Sequence, residues 1–412
     1  MKILIVSQWF SPEPVMKGIT FARELQRLGH DIEVITGFPN YPGGKLYPGY
    51  SIRPYQVEMI EGIRVIRVVM FPSHDSSAIK RLLTHGSFAV SALLIGGWIS
   101  QKPDVIYTYD TPLTAGVVSV MLSWLKRAPM IFDLQDLWPD TIAATSKMNN
   151  PRFINMLQKI CNWVFTRASC VVVLSPGFAK TLEKRGIGQD HIRVIPNWCD
   201  ENELRLEAHA ETALEMKAEQ HFNVVFAGSM GKGQALETVL RAAQIVAQHN
   251  PRVQFLLVGS GVELEHLKAL AKDVGLTNVR FLSRRPMSEI GRVLYYADVL
   301  LVHLKDEDLF AVTIPSKTQA YLSVGKPVLM AVRGDAADLI HNAQAGIACQ
   351  PENPQALADA VLQLSQKSSD ELKIMGQNGA RYYQNMLSVK VGTLAFLEVF
   401  QDVLEQRQRG LV

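Results

Sequence analysis

Short apolar runs alternate with amphipathic ones along most of the chain. "KILIVS" is followed by "GITFARELQRLGH", whose apolar residues recur at helical spacing, and then by "DIEVIT". "RVIRVVM", "DVIYTY", "PMIFDL", "CVVVLS" and "IRVIP" predict further strands, most of them separated by segments with i, i+3, i+4 apolar spacing. This is the βαβ rhythm of a parallel, doubly wound sheet. After "IPNWCDENEL" the rhythm gives way to a charged stretch over 200–221 and then restarts. "FNVVFAGS", "RVQFLLVGSG", "VRFL", "DVLLVHL", "KPVLMAV" and "GIACQ" read as strands of a second sheet. The pattern predicts two α/β domains, 1–200 and 201–390, and a helix over 391–412 that packs on either one. Ligands of open parallel sheets bind beyond the carboxyl ends of the strands, so a crevice between two such sheets is the expected active site.

The segment "SAIKRLLTHGSFAVSALLIGGWIS" (77–100) is helical in pattern and rich in Leu, Phe and Trp. His85, Ser87, Ser91 and the glycines argue against a full membrane span, which leaves a membrane-surface helix or a buried helix of the domain. Apolar residues make up 48% and charged residues 20% of the 412, the balance of a folded globular protein. Two domains suit that length. Residues 1–200 carry 21 Lys and Arg against 15 Asp and Glu, a surplus of +6, and the remainder carry 21 against 24. The basic tilt suits an N-terminal half that meets an anionic substrate or surface, or is scatter. Four cysteines without a Cys-x-x-Cys pair predict reduced thiols. The apolar run before Pro12 is too short for a signal peptide, and a cytosolic location is expected.

Three stretches carry candidate chemistry. In "FAGSMGKGQALETVL" (226–240), Gly228, Gly231 and Gly233 lie between a strand and a helix, with Lys232 adding a cation. Glycines let the backbone approach a ligand closely, and a helix end favours anions. In "DLFAVTIPSKTQAYLSVGKPVLMAV" (308–332), Pro315, Ser316 and Lys317 open a helix and read either as a pyrophosphate site or as ordinary capping with a solvated lysine. "DLQDLWPD" (133–140) places Asp133, Asp136 and Asp140 at a strand tip beside Trp138. Asp133 is expected to bond backbone, Asp140 to cap the next helix, and Asp136 to face ligand. The irregular loop "GFPNYPGGKLYPGY" (37–50) offers Tyr41 and Tyr47 to stack on a ligand, or is a rigid surface loop.

"IPSKTQAYLSVGKPVL", with "FAGSMGKGQALETVLRAA", "VVLSPGFAKTL", "VIPNWCD" and "DLQDLWPD", several of them in the family's order along the chain, resembles the retaining GT-B glycosyltransferases of family 4. The similarity is greatest to the bacterial branch that builds O-antigen, capsule and exopolysaccharide, including fucosyl- and N-acetylfucosaminyl-transferases. The resemblance implies a GT-B fold, two Rossmann-like domains facing across a cleft, with the nucleotide sugar held mainly by the C-terminal domain and the acceptor by the N-terminal one. Gly18 and the turn Gly228, Ser229, Gly231, Lys232 and Gln234 are then expected at the donor phosphates with Ser316 and Lys317, and Arg285 at the base. Asp136 is the expected catalytic residue, with Trp138, Tyr41 and Tyr47 on the acceptor. No metal or other cofactor is implied, because lysines and helix ends neutralise the leaving diphosphate. The implied partners are a nucleotide sugar, UDP favoured over GDP, an undecaprenyl-diphosphate-linked glycan and the inner face of the cytoplasmic membrane, with no nucleic acid.

The chain departs from the family at four places. Ser229 and Gln234 stand where an arginine and a lysine are usual, and Val312 and Ala320 stand where paired glutamates are usual. The second glutamate ordinarily binds ribose, a contact expected to pass to Gln319, while Asp308 replaces the first acid. A nucleotide-sugar 2-epimerase and a non-catalytic binding subunit are the rival readings.

Overall fold

The computed structural model describes residues 1–73, 78–110, 112–141, 150–201 and 204–410. The chain divides into two compact units, Met1–Pro196 with Gly392–Val412, and Asn197–Val391. The C-terminal segment therefore belongs to the first unit.

The first unit is built on an eight-stranded sheet: β1 (Lys2–Val6), β2 (Asp31–Gly37), β3 (Tyr55–Ile60), β4 (Ile63–Val68), β5 (Val105–Asp110), β6 (Met130–Leu134), β7 (Cys170–Val173) and β8 (Ile192–Val194). Their order is β3-β4-β2-β1-β5-β6-β7-β8. The run β4-β2-β1-β5-β6-β7 is the doubly wound order, which reverses direction between β1 and β5. β5, β6 and β7 are buried along their whole length, as parallel strands covered on both faces must be.

β3 is the exception and was not legible as a strand. It runs antiparallel to β4, and alternate residues are exposed, so one of its faces meets solvent. The two strands join through Glu61 and Gly62, both at positive φ (50° and 81°), the backbone of a tight hairpin turn.

Helix α1 (Ile19–Arg27) follows β1 and turns Phe21, Ala22 and Leu25 to the core. Helix α2 (Ala78–Ser91) widens into a π-helical turn over Ala92–Gly96 and ends at Gly97–Ile99. A Cβ at Gly96 would lie 2.8 Å from the Ile35 side chain, so glycine lets this turn press onto β2. Helix α3 (Leu113–Lys126) packs beside it. In the C-terminal segment, the Phe396 ring lies 5.2 Å from Phe21 and 5.4 Å from Tyr107, closing the core over β5.

The second unit carries β9 (Phe222–Ser229), β10 (Val253–Ser260), β11 (Val279–Leu282), β12 (Val299–His303), β13 (Val328–Ala331) and β14 (Gly346–Ala348). They form a parallel sheet of order β11-β10-β9-β12-β13-β14, whose switch point lies between β9 and β12. Alternation along the strands sends Val225, Leu256, Leu300 and Met330 to one core, and Val224, Phe255, Leu301 and Leu329 to the other. The charged stretch over 200–221 contains one short helix, Ala210–Met216.

Candidate active site

At the carboxyl end of β9 the chain leaves the sheet at Gly228 and turns through Gly231 to Gln234 before helix α4 (Leu236–His249) begins. Most carbonyls of this turn are taken up. The Gln234 amide hydrogen-bonds the Gly231 carbonyl, and the Lys305 amide, just beyond β12, donates to the Gly233 carbonyl at 2.9 Å. The Gly231 amide donates to the Gln234 side-chain oxygen at 3.0 Å. Among the described residues the amides of Lys232 and Gly233 have no partner. A turn whose carbonyls are taken up and whose amides are left unpaired suits an anion.

Helix α5 (Ser316–Ser323) brings the cation. Tyr321 is buried and its hydroxyl accepts from the Ala227 amide at 2.9 Å, which fixes α5 against the end of β9. One helical turn earlier on the same face, Lys317 lays its ammonium 3.6 Å from the centroid of the Phe226 ring. A Cβ at Gly228, whose φ is 150°, would lie 2.9 Å from that nitrogen, so only glycine gives the lysine room. Lys317 Nζ is buried without a hydrogen-bond partner among the described residues. Burial pushes its pKa down to about 7. A buried cation without a counter-ion is costly, and an anionic ligand removes that cost.

The other residues expected at the donor are placed as follows. Ser316 is exposed at the start of α5 and makes no capping bond. Lys232 is exposed, Ser229 is exposed, and Gln234 spends its side-chain oxygen inside the turn. Gln319 is buried, and its amide, oriented to satisfy both bonds, donates to the Pro315 and Ser316 carbonyls at 3.0 Å each. Arg285 pairs with Glu215, and Asp308 pairs with Arg333. Gly18 is buried in the first unit at the start of α1, with its amide bonded to the Val15 carbonyl at 3.2 Å.

In the first unit the aspartates separate into distinct roles. Asp133 does not bond backbone as expected. It is fully buried and receives Lys17 Nζ at 2.9 and 3.1 Å and the Tyr107 hydroxyl at 2.6 Å. Asp140 pairs with Arg185, which also donates to the Trp138 carbonyl at 2.7 Å. Asp140 and Thr141 are helical, and the rest of the helix it was expected to cap falls on 142–149, outside the described residues. Asp136 is partly exposed, and its carboxylate has no hydrogen-bond partner among the described residues. Burial raises its pKa.

Sequence reasoning overlooked two residues. Asp110 ends β5 at the switch point beside β1, is fully buried, and has no partner on either carboxylate oxygen among the described residues. Burial, with Asp136 and Asp133 nearby, holds its carboxyl well above the usual range. The signal was an aspartate closing "DVIYTYD", the same strand-then-acid pattern as "FDLQD". His303, the last residue of "DVLLVH", is the second.

The loop bearing the tyrosines is pinned by Glu13. Its carboxylate accepts amides of Phe10 at 3.1 Å, Asn40 at 2.8 Å and Tyr41 at 2.7 Å. The Tyr47 hydroxyl donates to the Tyr41 carbonyl at 2.9 Å, and the Tyr41 ring packs on Trp9 at 4.7 Å. Tyr41 and Tyr47 thus belong to a fixed loop, each partly exposed.

Two doubly wound units, one with an anion-receiving turn and a buried lysine at its switch point, define a GT-B glycosyltransferase. Residues 20–198 match the model of a glycosyl transferase 4-like domain, and residues 221–367 match that of the glycosyl transferases group 1. The chain is 27% identical to the putative colanic acid biosynthesis glycosyl transferase WcaI of Escherichia coli K12, over 79% of this chain and 82% of that one. It is 24% identical to the probable glycosyltransferase WbjE of Pseudomonas aeruginosa, over 76% and 83%. Among solved structures it resembles sucrose-phosphate synthase from Thermosynechococcus elongatus, with a TM-score of 0.75, 18% identity, and coverage of 98% and 99%. Anabaena HepE, solved with UDP and glucose, gives a TM-score of 0.67 at 18% identity, with coverage of 97% and 99%. The chain belongs to family 4 of the GT-B glycosyltransferases and is related to enzymes of bacterial polysaccharide biosynthesis.

Proposed function

We propose that the protein transfers a hexosyl or N-acetylhexosaminyl group, with retention of configuration, from a UDP-sugar to a lipid-linked or growing surface glycan. The observation that carries this reading is Lys317, a buried and unpartnered ammonium beside Gly228 and the open amides of the turn. A donor diphosphate supplies the missing counter-charge. UDP is favoured over GDP because HepE was solved with UDP and with UDP-glucose.

In this reading the second unit holds the donor and the first holds the acceptor. The bond from the anomeric carbon to the diphosphate oxygen breaks while the acceptor oxygen bonds that carbon on the same face. The departing phosphate oxygen takes the acceptor proton. Lys317, Ser316, Lys232 and the turn amides neutralise the charge that builds on the diphosphate, so the step requires no metal. Asp136 orients the acceptor hydroxyl, and Trp138, Tyr41 and Tyr47 pack against the acceptor. The unpaired carboxylate of Asp136 supports its part.

A peripheral site on the inner face of the cytoplasmic membrane completes the proposal. The helical run Leu82–Ile99 is long and apolar enough to cross a bilayer, with a mean hydropathy of 1.5 and 33% of it buried. On its exposed side lie Leu83, Val90, Leu94 and Trp98, the last 86% exposed, and Trp124 and Leu125 of α3 are exposed as well. An apolar face of this kind suits the headgroup boundary, where a lipid-diphosphate acceptor resides.

Purified protein offered a panel of UDP- and GDP-sugars tests the reading. Slow release of free UDP from one donor, and transfer from it to a lipid-diphosphate glycan, is the expected result. A 2-epimer product, or tight binding without turnover, overturns it.

A further inference from the structure

His303 closes β12 at the switch point, next to the strand that carries the phosphate turn, and it is fully buried. Its Nδ1 lies 2.7 Å from the Gln234 carbonyl oxygen. A carbonyl only accepts, so Nδ1 carries the hydrogen and the ring is the Nδ1–H tautomer. Nε2 is then a lone-pair acceptor, buried and without a partner among the described residues. Two groups leaving β12 therefore grip the turn. The His303 ring takes the Gln234 carbonyl and the Lys305 amide takes the Gly233 carbonyl at 2.9 Å.

The consequence lies in what these bonds leave open. The Gln234 carbonyl shares its peptide plane with the Ala235 amide, which donates to the Lys232 carbonyl at 3.2 Å, and the amides of Lys232 and Gly233 have no partner among the described residues. If the Gln234 carbonyl were released its peptide plane could rotate, the Ala235 amide would lose the Lys232 carbonyl, and the plane that carries the Gly233 amide would no longer be held. We infer that His303 is a positioning residue for the donor diphosphate, acting through the Gln234 carbonyl to hold the turn in its anion-receiving form. It touches no substrate. The inference rests on the donor-site reading of the preceding section and adds the residue that shapes that site.

The ring must be neutral for this role. A second ring proton would sit on Nε2 with no acceptor, in a buried place where Lys317 already contributes positive charge. Burial pushes the His303 pKa down to about 4, so the ring stays neutral at ordinary working pH. This separates His303 from Lys317, which titrates near neutrality.

Titration calorimetry of the full chain with UDP and with GDP, alongside thermal melts, tests the inference. In His303→Asn the side-chain amide can replace Nδ1–H as donor to the carbonyl, whereas His303→Leu fills space without a donor. His303→Leu is expected to weaken UDP binding by about ten-fold or more, the worth of one buried hydrogen bond that organises several others, while His303→Asn stays close to wild type. Equal binding by wild type and His303→Leu overturns this inference alone, as does equal weakening in both variants, which would mark a packing role. Failure of the wild-type protein to bind either nucleotide overturns the donor-site reading and this inference with it. Should His303→Leu not fold, long-range proton–nitrogen NMR of the wild-type imidazoles decides the matter. A ring protonated on Nδ1 at neutral pH is expected for His303, and one protonated on Nε2 overturns the inference.

Discussion

Lys317 Nζ lies 3.6 Å from the centre of the Phe226 ring and has no hydrogen-bond partner among the described residues. The ring face offsets part of the cost of burying the ammonium, and no anion offsets the rest. The site is thus built at the expense of stability. Lys317→Met removes a buried unpaired charge while keeping the length of the side chain. It is expected to raise stability by about 1–3 kcal/mol and to abolish detectable binding of UDP. A melt and a calorimetric titration on the same sample check both halves.

The same lysine predicts a proton linkage. With a pKa of about 7 in the free protein, Lys317 is largely neutral at mildly alkaline pH. A bound diphosphate favours the charged form and raises that pKa. Binding of the donor sugar at mildly alkaline pH is therefore expected to take up about one proton, and binding on the acid side of neutrality is expected to take up almost none. Intrinsic affinity falls as pH rises through about 7. Titrations in two buffers of different ionisation enthalpy measure the uptake directly.

In the first unit, Lys17 and Asp133 form a pair with no exposure on either side chain, joined by the Tyr107 hydroxyl. Removing one partner strands the other. Lys17→Met is expected to cost about 3–5 kcal/mol in stability. Lys17→Met with Asp133→Asn, which keeps an acceptor for Tyr107 and removes the stranded charge, is expected to recover at least half of that. Denaturant unfolding of the two variants provides the comparison.

This pair shows where sequence reading stopped. The strands, the two doubly wound units and the glycine turn were legible because each is encoded in contiguous residues with a period of two or 3.6. Lys17 and Asp133 are 116 positions apart, and nothing local to "VMKG" or "FDLQD" announces that they meet. Asp140 likewise finds Arg185, 45 positions away. The hairpin of β3 and β4 escapes such a reading, because β3 is half exposed and lacks the apolar run that marks the other strands, although Glu61 and Gly62 of "MIEGIR" supply its turn. Lys317 was singled out correctly as a cation at a helix start, yet its burial against Phe226 depends on how α5 docks on β9, which no local pattern encodes.

The acidic loop yields a prediction that separates binding from transfer. Asp136 is the aspartate of "DLQDLWPD" left without a partner among the described residues, since Asp133 and Asp140 are held by Lys17 and Arg185. Asp136→Ala is expected to leave stability and UDP affinity close to wild type while turnover falls by about 100-fold or more. Near-normal turnover in that variant would show that Asp136 does not orient the acceptor.

The exposed apolar side of the run Leu82–Ile99 yields the last. Trp98 is 86% and Leu94 65% exposed, so neither supports the fold through burial. Leu125 of α3 meets Gly97 and extends the same surface. Transfer of a Trp or Leu side chain from water to an apolar phase is worth roughly 1.5–3 kcal/mol. Leu94→Glu with Trp98→Glu removes both contributions and adds two charges that anionic headgroups repel. The double variant is expected to keep its melting temperature and its UDP affinity. Its co-sedimentation with vesicles containing phosphatidylglycerol is expected to fall by at least about ten-fold. Transfer to a lipid-diphosphate acceptor embedded in those vesicles is expected to fall with it, while transfer to a water-soluble analogue of the same glycan is unchanged. If vesicle binding and both transfers match wild type, the apolar face serves something other than a membrane.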